Sequence, residues 1–250
     1  MTNGDMDAAT KSVGLDEPRS VSFEVRRWDV LDVLRREADA RTVLQIITPT
    51  TSSDLAGHPE LARFQSMTTL TYASPLQREV IGWAAPLPTL DELALNARRA
   101  GLRADIVFID PWHTYADSCA ALLLALDLVN AGGHVVVHDC DPPDPTLAEA
   151  DPKSIPDAWS GETWRAFVDV TARLDEGWPW WTIDADYGIG MIAASTLTEQ
   201  HRAALHEDRR LIPARLPADQ AWQWLQVNRA ETLRLQDVSI WKGRILHDPA

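Results

Sequence analysis

The sequence has little cysteine, no run of basic residues and no long apolar segment, and each shortage excludes a class of protein. Two cysteines in 250 residues, Cys119 and Cys140, cannot form a disulfide framework, and their spacing is not that of metal ligands. The net charge of −14 disfavours nucleic-acid and anionic-membrane partners, because phosphates would be repelled. The longest apolar run, Ala120 to Leu126, is far shorter than a membrane span, and the polar N-terminus does not resemble a signal peptide. We therefore expect a cytoplasmic protein without a nucleic-acid or membrane partner.

The stretch from Ala104 to Asp141 organises the rest of the chain. It contains, in order, an apolar run, an alanine- and leucine-rich helix, a glycine pair expected to end that helix, and a β-branched run: Ile106–Ile109, Tyr115–Asn130, Gly132-Gly133 and Val135–Val137. This order predicts a right-handed βαβ unit with two buried parallel strands.

The pattern on either side predicts a single α/β domain with appended helices. The predicted strands are Thr42–Ile47, Thr69–Tyr72, Val80–Ala84 and a C-terminal pair, Trp180–Asp184 and Ile189–Ala193. The predicted helices are Ser22–Ala40, a short one within Asp54–Met67, Leu90–Ala100, Glu162–Leu174, Thr198–Arg210 and Asp219–Leu235. We expect a flexible tail at 1–20, the α/β domain at 21–195 and a helical extension at 196–250, with the proline-rich segment 142–156 forming a loop or lid.

Polar side chains follow both strands of the βαβ unit directly. Asp110 and His113 come after the first strand, and His138 and Asp139 come after the second. In open parallel sheets, ligands bind outside the carboxyl ends of the strands, so these four side chains are the best candidates for a common site. His113 has the ordinary pKa of a general base at neutral pH. The structural alternative is that Asp110 caps the following turn, that His138-Asp139 orders loop backbone by hydrogen bonds, and that His113 is a loop histidine hydrogen-bonded to a neighbouring acid.

The motif Phe108-Ile109-Asp110-Pro111-Trp112-His113-Thr114-Tyr115, followed by Gly132-Gly133 and His138-Asp139, resembles class I S-adenosylmethionine-dependent methyltransferases. The resemblance is greatest to their small-molecule and sugar O-methyltransferase branch, and Gly188-Ile189-Gly190 is similar to a turn near that family's last strands. It implies a Rossmann-like α/β fold, with a mostly parallel sheet, helices on both faces and an antiparallel C-terminal edge hairpin. It also implies methyl transfer from S-adenosylmethionine to a hydroxyl group.

The cofactor half of the sequence departs from that family. The family's glycine-rich loop would follow Ile47, but here the segment contains four hydroxyl side chains and a proline: Thr48, Pro49, Thr50, Thr51 and Ser52. Pro49 also removes a backbone donor. The family's acid after the second strand is missing, and Thr69 to Ser74 offers hydroxyls instead. The resemblance implies that Thr48, Thr50, Thr51 and Ser52, together with Asp110, face the cofactor.

The resemblance also implies a metal site and a substrate wall. Metal-dependent members of the family hold Mg²⁺ with acids at corresponding strand ends, which assigns Asp110, His138 and Asp139 as candidate ligands of a divalent cation. Asp110 and His113 are the candidate catalytic residues. Trp112, His113 and Asp141 are the candidate substrate contacts, although Asp141 precedes Pro142-Pro143 and could simply begin a turn.

The leading hypothesis is therefore an O-methyltransferase for a small molecule or sugar, assisted by a cation. Two alternatives remain open: a metal-dependent or acid–base enzyme of this fold that does not use S-adenosylmethionine, and a non-catalytic partner protein. The chain has 11 tryptophans, which suit a core or an oligomer interface more often than a ligand wall, so a homo-oligomer is also left open.

Overall fold

The computed structural model describes residues 18–50, 55–82, 86–148, 159–174, 178–205 and 215–246. A seven-stranded mixed sheet runs through the molecule in the order β2-β1-β3-β4-β6-β5-β7. The strands are β1 (Thr42–Ile47), β2 (Ser66–Thr71), β3 (Ala104–Asp110), β4 (Val129–Val137), β5 (Trp180–Ile183), β6 (Ile189–Ala193) and β7 (Leu235–Gln236). The helices are α1 (Arg27–Glu37), α2 (Pro75–Ile81), α3 (Leu90–Arg99), α4 (Tyr115–Leu128), α5 (Thr163–Thr171), α6 (Glu199–Leu205), α7 (Ala218–Thr232) and α8 (Val238–Leu246).

Strands β2, β1, β3 and β4 are parallel, and β6 lies antiparallel to both β4 and β5. Alternate residues of β3 point to opposite faces, and the core has one layer on each. Val107 and Ile109 pack with α3 and α4, whereas Ile106 and Phe108 pack with α1 and Trp241 of α8. Because both faces of the sheet are buried, the strands are continuous apolar runs in the sequence. The Rossmann-like fold class predicted from the sequence is confirmed.

One predicted strand is wrong. The segment Val80–Ala84 was expected to be extended, but Val80 and Ile81 end helix α2, and residues 83–85 lie outside the described part of the chain. The helix begins because Ser74 accepts a hydrogen bond from Gln77 N at 3.1 Å and Pro75 occupies the first helical position. Gly82, with φ of +65°, ends it.

The glycine pair does not break the helix as expected. Helix α4 ends at Leu128, and Gly132 and Gly133 lie inside β4, where the register against β3 shifts between Ala104 and Ile106. A Cβ on Gly133 would lie 2.3 Å from the carbonyl oxygen of Asp105, so no larger residue fits between these strands. Gly133 therefore permits close strand contact, whereas Gly132 has open space around it and adopts a φ of +83° within the strand.

The C-terminal segment holds two elements that the sequence pattern did not predict. After α7 the chain adds the short strand β7 to the edge of β5 and then forms α8. Trp241 of α8 is fully buried in the same core layer as α1, so the end of the described chain packs against its beginning. Within the described residues, no helix is long and apolar enough to cross a membrane.

Candidate functional site

The carboxyl ends of β3 and β4 bring two buried acids together. Asp110 is the last residue of β3, and Asp139 lies two residues beyond β4 with φ of +62°; both are at most 5% exposed. Ser160 donates a hydrogen bond to Asp139 Oδ1 at 2.8 Å. Because the strands are parallel neighbours, their ends meet at one edge of the sheet, as the sequence predicted.

His113 joins the two carboxylates from the loop between β3 and α4. Its Nε2 lies 2.9 Å from Asp110 Oδ1 and 3.2 Å from Asp139 Oδ2. One ligand atom from each of these three residues lies within 4.8 Å of the others, and we call this group the Asp–His–Asp cluster. Two carboxylate oxygens and one imidazole nitrogen are a suitable donor set for a divalent cation such as Mn²⁺, Fe²⁺ or Mg²⁺.

His138 lies on the other side of the same carboxylates. Its Nδ1 is 2.9 Å from Asp139 Oδ2 and 3.4 Å from Asp110 Oδ2. Its Nε2 is 2.7 Å from Nη1 of the buried Arg27. Both ring nitrogens of His138 therefore face protein groups, which suits a residue that positions the acids better than the metal ligand expected from the sequence.

Arg27 is held in turn by Asp186. The carboxylate of Asp186, which is fully buried, accepts hydrogen bonds from Arg27 Nη1 at 2.9 Å and from the backbone N of Arg27 at 3.0 Å. Helix α1 and the β5–β6 turn are thereby connected to the Asp–His–Asp cluster through His138. Neither Arg27 nor Asp186 was a predicted site residue, and no local motif marks them, since they lie 159 positions apart.

The electrostatics of the cluster favour an ionised Asp110. Burial raises the pKa of Asp110, but the charges and hydrogen bonds of His138 and His113 outweigh it and hold that pKa well below its usual range. Burial lowers the pKa of His113, but the carboxylates of Asp139 and Asp110 raise it above its ordinary value. His113 thus retains a proton more strongly than a free histidine, and a bound cation would take the place of that proton.

Two tryptophans form a wall beside the cluster. The rings of Trp112 and Trp159 meet edge to face with centroids 5.0 Å apart, and the Trp159 ring lies 5.3 Å from that of His113. Gly161 holds this segment close, because its Cβ position would lie 2.3 Å from the carbonyl oxygen of His113. Trp112 was a predicted substrate contact. Trp159 and Ser160 were not, because no sequence pattern indicated that the residues before α5 lie at this edge of the sheet.

Asp141 forms a separate ion-pair group. Its carboxylate pairs with Arg229 of α7 and with Arg19, whose Nη2 lies 2.9 Å away. Asp184 also pairs with Arg229, at 2.9 Å. Burial raises the pKa of Asp141 despite these cations. The structure therefore gives Asp141 partners outside the Asp–His–Asp cluster, and its predicted contact with substrate stays a prediction.

We expect the Asp141→Asn variant to lose stability without losing cation affinity. Removing the charge leaves Arg229 and Arg19 without their shared buried partner, which should lower the free energy of unfolding by about 1–3 kcal/mol. Urea unfolding would measure the loss, and Mn²⁺ titration would check the site. A large fall in Mn²⁺ affinity would instead place Asp141 in the cation site.

The predicted cofactor loop is tied to helix α2. Thr48 is buried with its hydroxyl 3.3 Å from that of Thr50, which also accepts a hydrogen bond from Gln77 Nε2 at 3.0 Å. Gln77 is fully buried, and its Oε1 has no hydrogen-bond partner among the described residues. Thr51 and Ser52, also predicted to face the cofactor, lie outside the described residues.

Comparison with known proteins identifies structural neighbours only. No family model and no curated protein matches the chain. The similar solved structures include an O-methyltransferase from Bacillus cereus in complex with SAH, with 20% identity, TM-score 0.41, and coverage of 67% of this chain and 80% of that one. TomG from Streptomyces achromogenes, an O-methyltransferase in complex with SAM, has 18% identity, TM-score 0.38, and coverage of 68% and 79%. MycE, a methyltransferase of the mycinamycin pathway in complex with Mg and SAH, has 16% identity, TM-score 0.37, and coverage of 74% and 51%. At these identities and TM-scores the likeness concerns the fold, and activity has to be argued from the site itself.

Proposed function

We propose that this protein is an O-methyltransferase that binds a divalent cation and methylates a hydroxyl group of a small molecule or sugar. The observation that carries the proposal is the Asp–His–Asp cluster, in which Asp110, His113 and Asp139 converge at the carboxyl ends of two parallel strands. Asp110 and His113 belong to the segment Phe108 to Tyr115, which resembles methyltransferases. Asp139 belongs to the His138-Asp139 pair. The fold supports the same class of reaction.

The cluster suits activation of a hydroxyl group. A cation held by Asp110, His113 and Asp139 would bind the acceptor oxygen and lower the pKa of its hydroxyl group. If the two acids alone hold the cation, His113, whose Nε2 reaches both of them, is the residue that could instead hold the released proton. Trp112 and Trp159 lie beside the cluster, and aromatic rings are the side chains that pack on a sugar or an aromatic acceptor, although both are largely buried in this state.

The segment after β1 and helix α2 carry polar groups of the kind that bind a ribose. These are the hydroxyl groups of Thr48 and Thr50 and the amide of Gln77, whose buried Oε1 has no partner among the described residues. S-adenosylmethionine would supply the methyl group that is transferred. These side chains could make the hydrogen bonds that the missing acid would make. They do not leave the room for a cofactor that a glycine-rich loop would leave.

A second candidate function is favoured by that loss of space. A cation-dependent enzyme that does not use S-adenosylmethionine would keep the Asp–His–Asp cluster and need no glycine loop after β1. The two candidates share the cation and differ in the methyl donor, so one assay separates them.

The assay is transfer of a labelled methyl group from S-adenosylmethionine to a panel of sugars and catechols. We expect labelled product with Mn²⁺ or Mg²⁺, loss of product after chelation, and recovery when the cation is restored. Cation binding without any methyl transfer would favour the second candidate. Absence of cation binding by calorimetry would contradict both.

A further inference from the structure

The topology places a ligand crevice at the carboxyl end of β1. Strand β1 has β2 on one side and β3 on the other, and Ile47 is in register with both Thr71 and Asp110. The strand that follows β1 in the chain, β2, lies on one side of it, and the next strand, β3, lies on the other side. The carboxyl end of β1 is therefore a topological switch point. Ligands of open α/β sheets bind in the crevice at such points.

The side chain of Tyr72 crosses this crevice. Tyr72 follows the last residue of β2, and its hydroxyl accepts a hydrogen bond at 2.9 Å from the backbone N of Trp112, which follows β3. Because neighbouring strands lie about 4.8 Å apart, a contact from the end of β2 to the end of β3 spans two strand spacings and passes the end of β1. The phenol ring therefore occupies the space beside Thr48.

Tyr72 is held firmly in this position. Its backbone N donates to the carbonyl oxygen of Ile47 at 3.1 Å, and its side chain is fully buried. Trp112, which supplies the hydrogen bond to the phenol, is itself buried against Trp159. The ring is thus packed as a core residue, although it lies where the fold would otherwise leave room for a ligand.

The ring packs with the apolar core layer of α3 and α4, but the segments on either side of it carry two buried polar side chains. These are Thr48, directly after β1, and Gln77 of α2, whose Oε1 has no partner in the described part of the chain. A buried amide oxygen without a hydrogen bond is costly unless a ligand satisfies it in another state. The chain therefore keeps a polar wall beside a crevice that its own tyrosine fills.

We propose that Tyr72 is an internal plug of the cofactor crevice, and that an adenosine-bearing ligand enters only when the phenol leaves the Trp112 backbone. The inference rests on the proposed function for the identity of that ligand, S-adenosylmethionine. In this arrangement the cofactor competes with a side chain of the protein, so the closed crevice lowers its apparent affinity. The Asp–His–Asp cluster is not altered by the plug and can bind a cation in either state.

The test is calorimetric titration of S-adenosylmethionine into the full-length protein and two variants, each preloaded with Mn²⁺. We expect weak binding to the wild type, binding about fivefold tighter to Tyr72→Phe, and binding at least about tenfold tighter to Tyr72→Ala. The phenylalanine variant loses only one hydrogen bond, whose net value of about 1 kcal/mol corresponds to that fivefold change. The alanine variant also loses the ring.

Tyr115→Phe is the matched control, since it removes a tyrosine hydroxyl whose partner is Asp169 on α5. Its affinity for S-adenosylmethionine should equal that of the wild type. If Tyr72→Ala does not fold, as circular dichroism would show, the phenylalanine variant decides the question. The proposal is overturned if the wild type binds S-adenosylmethionine as tightly as either Tyr72 variant. It is also overturned if no variant binds.

The Mn²⁺ titration separates this inference from the proposed function. A wild-type protein that does not bind Mn²⁺ would contradict the proposed function, whereas the ranking of the Tyr72 variants would still test the plug. A protein that binds Mn²⁺ normally while Tyr72→Ala gains no cofactor affinity would contradict only the plug.

Discussion

The Asp110→Asn variant should lose Mn²⁺ affinity by at least about 100-fold and lose cation-dependent product formation with it. Loss of a residue that merely supports a metal ligand already weakens binding by about 10- to 100-fold, and Asp110 is a ligand candidate itself. The amide is similar in size but carries no negative charge. It also leaves His113 with one carboxylate, Asp139, of the two that it now contacts among the described residues.

Asp105→Asn is the matched control. Asp105 lies on the same strand, but at its amino end, where it accepts hydrogen bonds from the backbone N of Arg41 at 2.9 Å and of Thr42 at 3.0 Å. We expect some loss of stability and unchanged Mn²⁺ affinity. Electron paramagnetic resonance of free Mn²⁺ would measure both affinities. If the Asp110 variant binds Mn²⁺ like the wild type, the cation does not bind at the Asp–His–Asp cluster.

The position of this cluster could be predicted because its residues end buried strands. Residues 106–109 and 135–137 are apolar runs that stop at polar side chains, and parallel neighbours bring their ends together. The same reasoning gave β1 its exact limits, Thr42–Ile47. A hydrophobic pattern of this kind involves only neighbouring residues, so it can be recognised directly in the sequence.

The supporting contacts could not be predicted because they join distant segments. Arg27, Ser160 and Asp186 approach the cluster from an N-terminal helix, a loop and a turn, and nothing near them in the chain specifies those contacts. The two-residue strand β7 is too short to leave a pattern. Local signals also compete, since Val80 and Ile81 favour a strand while Ser74-Pro75 begins a helix, and the helix forms.

The sequence shows that the loop after β1 lacks glycine, but it does not show which side chain lies across the crevice beside that loop. Absence of glycine indicated a poor cradle for a cofactor, and the hydroxyl groups of Thr48 and Thr50 left room for a substitute. Only the structure shows that Tyr72 lies across the crevice, because a tyrosine at a strand end is ordinary in sequence. Cation binding at the Asp–His–Asp cluster and S-adenosylmethionine binding at the crevice should therefore be tested separately.

The Arg27→Met variant should lower the free energy of unfolding by about 3–5 kcal/mol. Arg27 and Asp186 form a buried ion pair at 2.9 Å, with side chains 9% and 1% exposed. Removing the guanidinium leaves the buried Asp186 carboxylate with His138 and the more exposed Arg26 as its remaining cationic neighbours among the described residues, and removal of one partner of a buried ion pair costs this much. Urea unfolding followed by circular dichroism would measure the change.

The same pair predicts how stability depends on pH. Burial raises the pKa of Asp186, but His138 and Arg27 outweigh it and lower that pKa from 3.8 to about 2. Because the pKa is lower in the folded state, the carboxylate contributes stability that is fully present above about pH 4. This contribution, about 2 kcal/mol, is lost as the pH falls through about 2. The Asp186→Asn variant should lack that part of the acid dependence.

Arg35→Met on the same helix is the control for loss of an arginine. Arg35 pairs with Asp32 at 2.9 Å across one helical turn, with both side chains partly exposed, and such a pair contributes less than about 0.5 kcal/mol. The two variants remove the same charge from α1 but differ in burial. Equal losses of stability would show that Asp186 does not depend on Arg27. A much larger loss for Arg27→Met, together with weaker Mn²⁺ binding, would show that α1 supports the Asp–His–Asp cluster through His138.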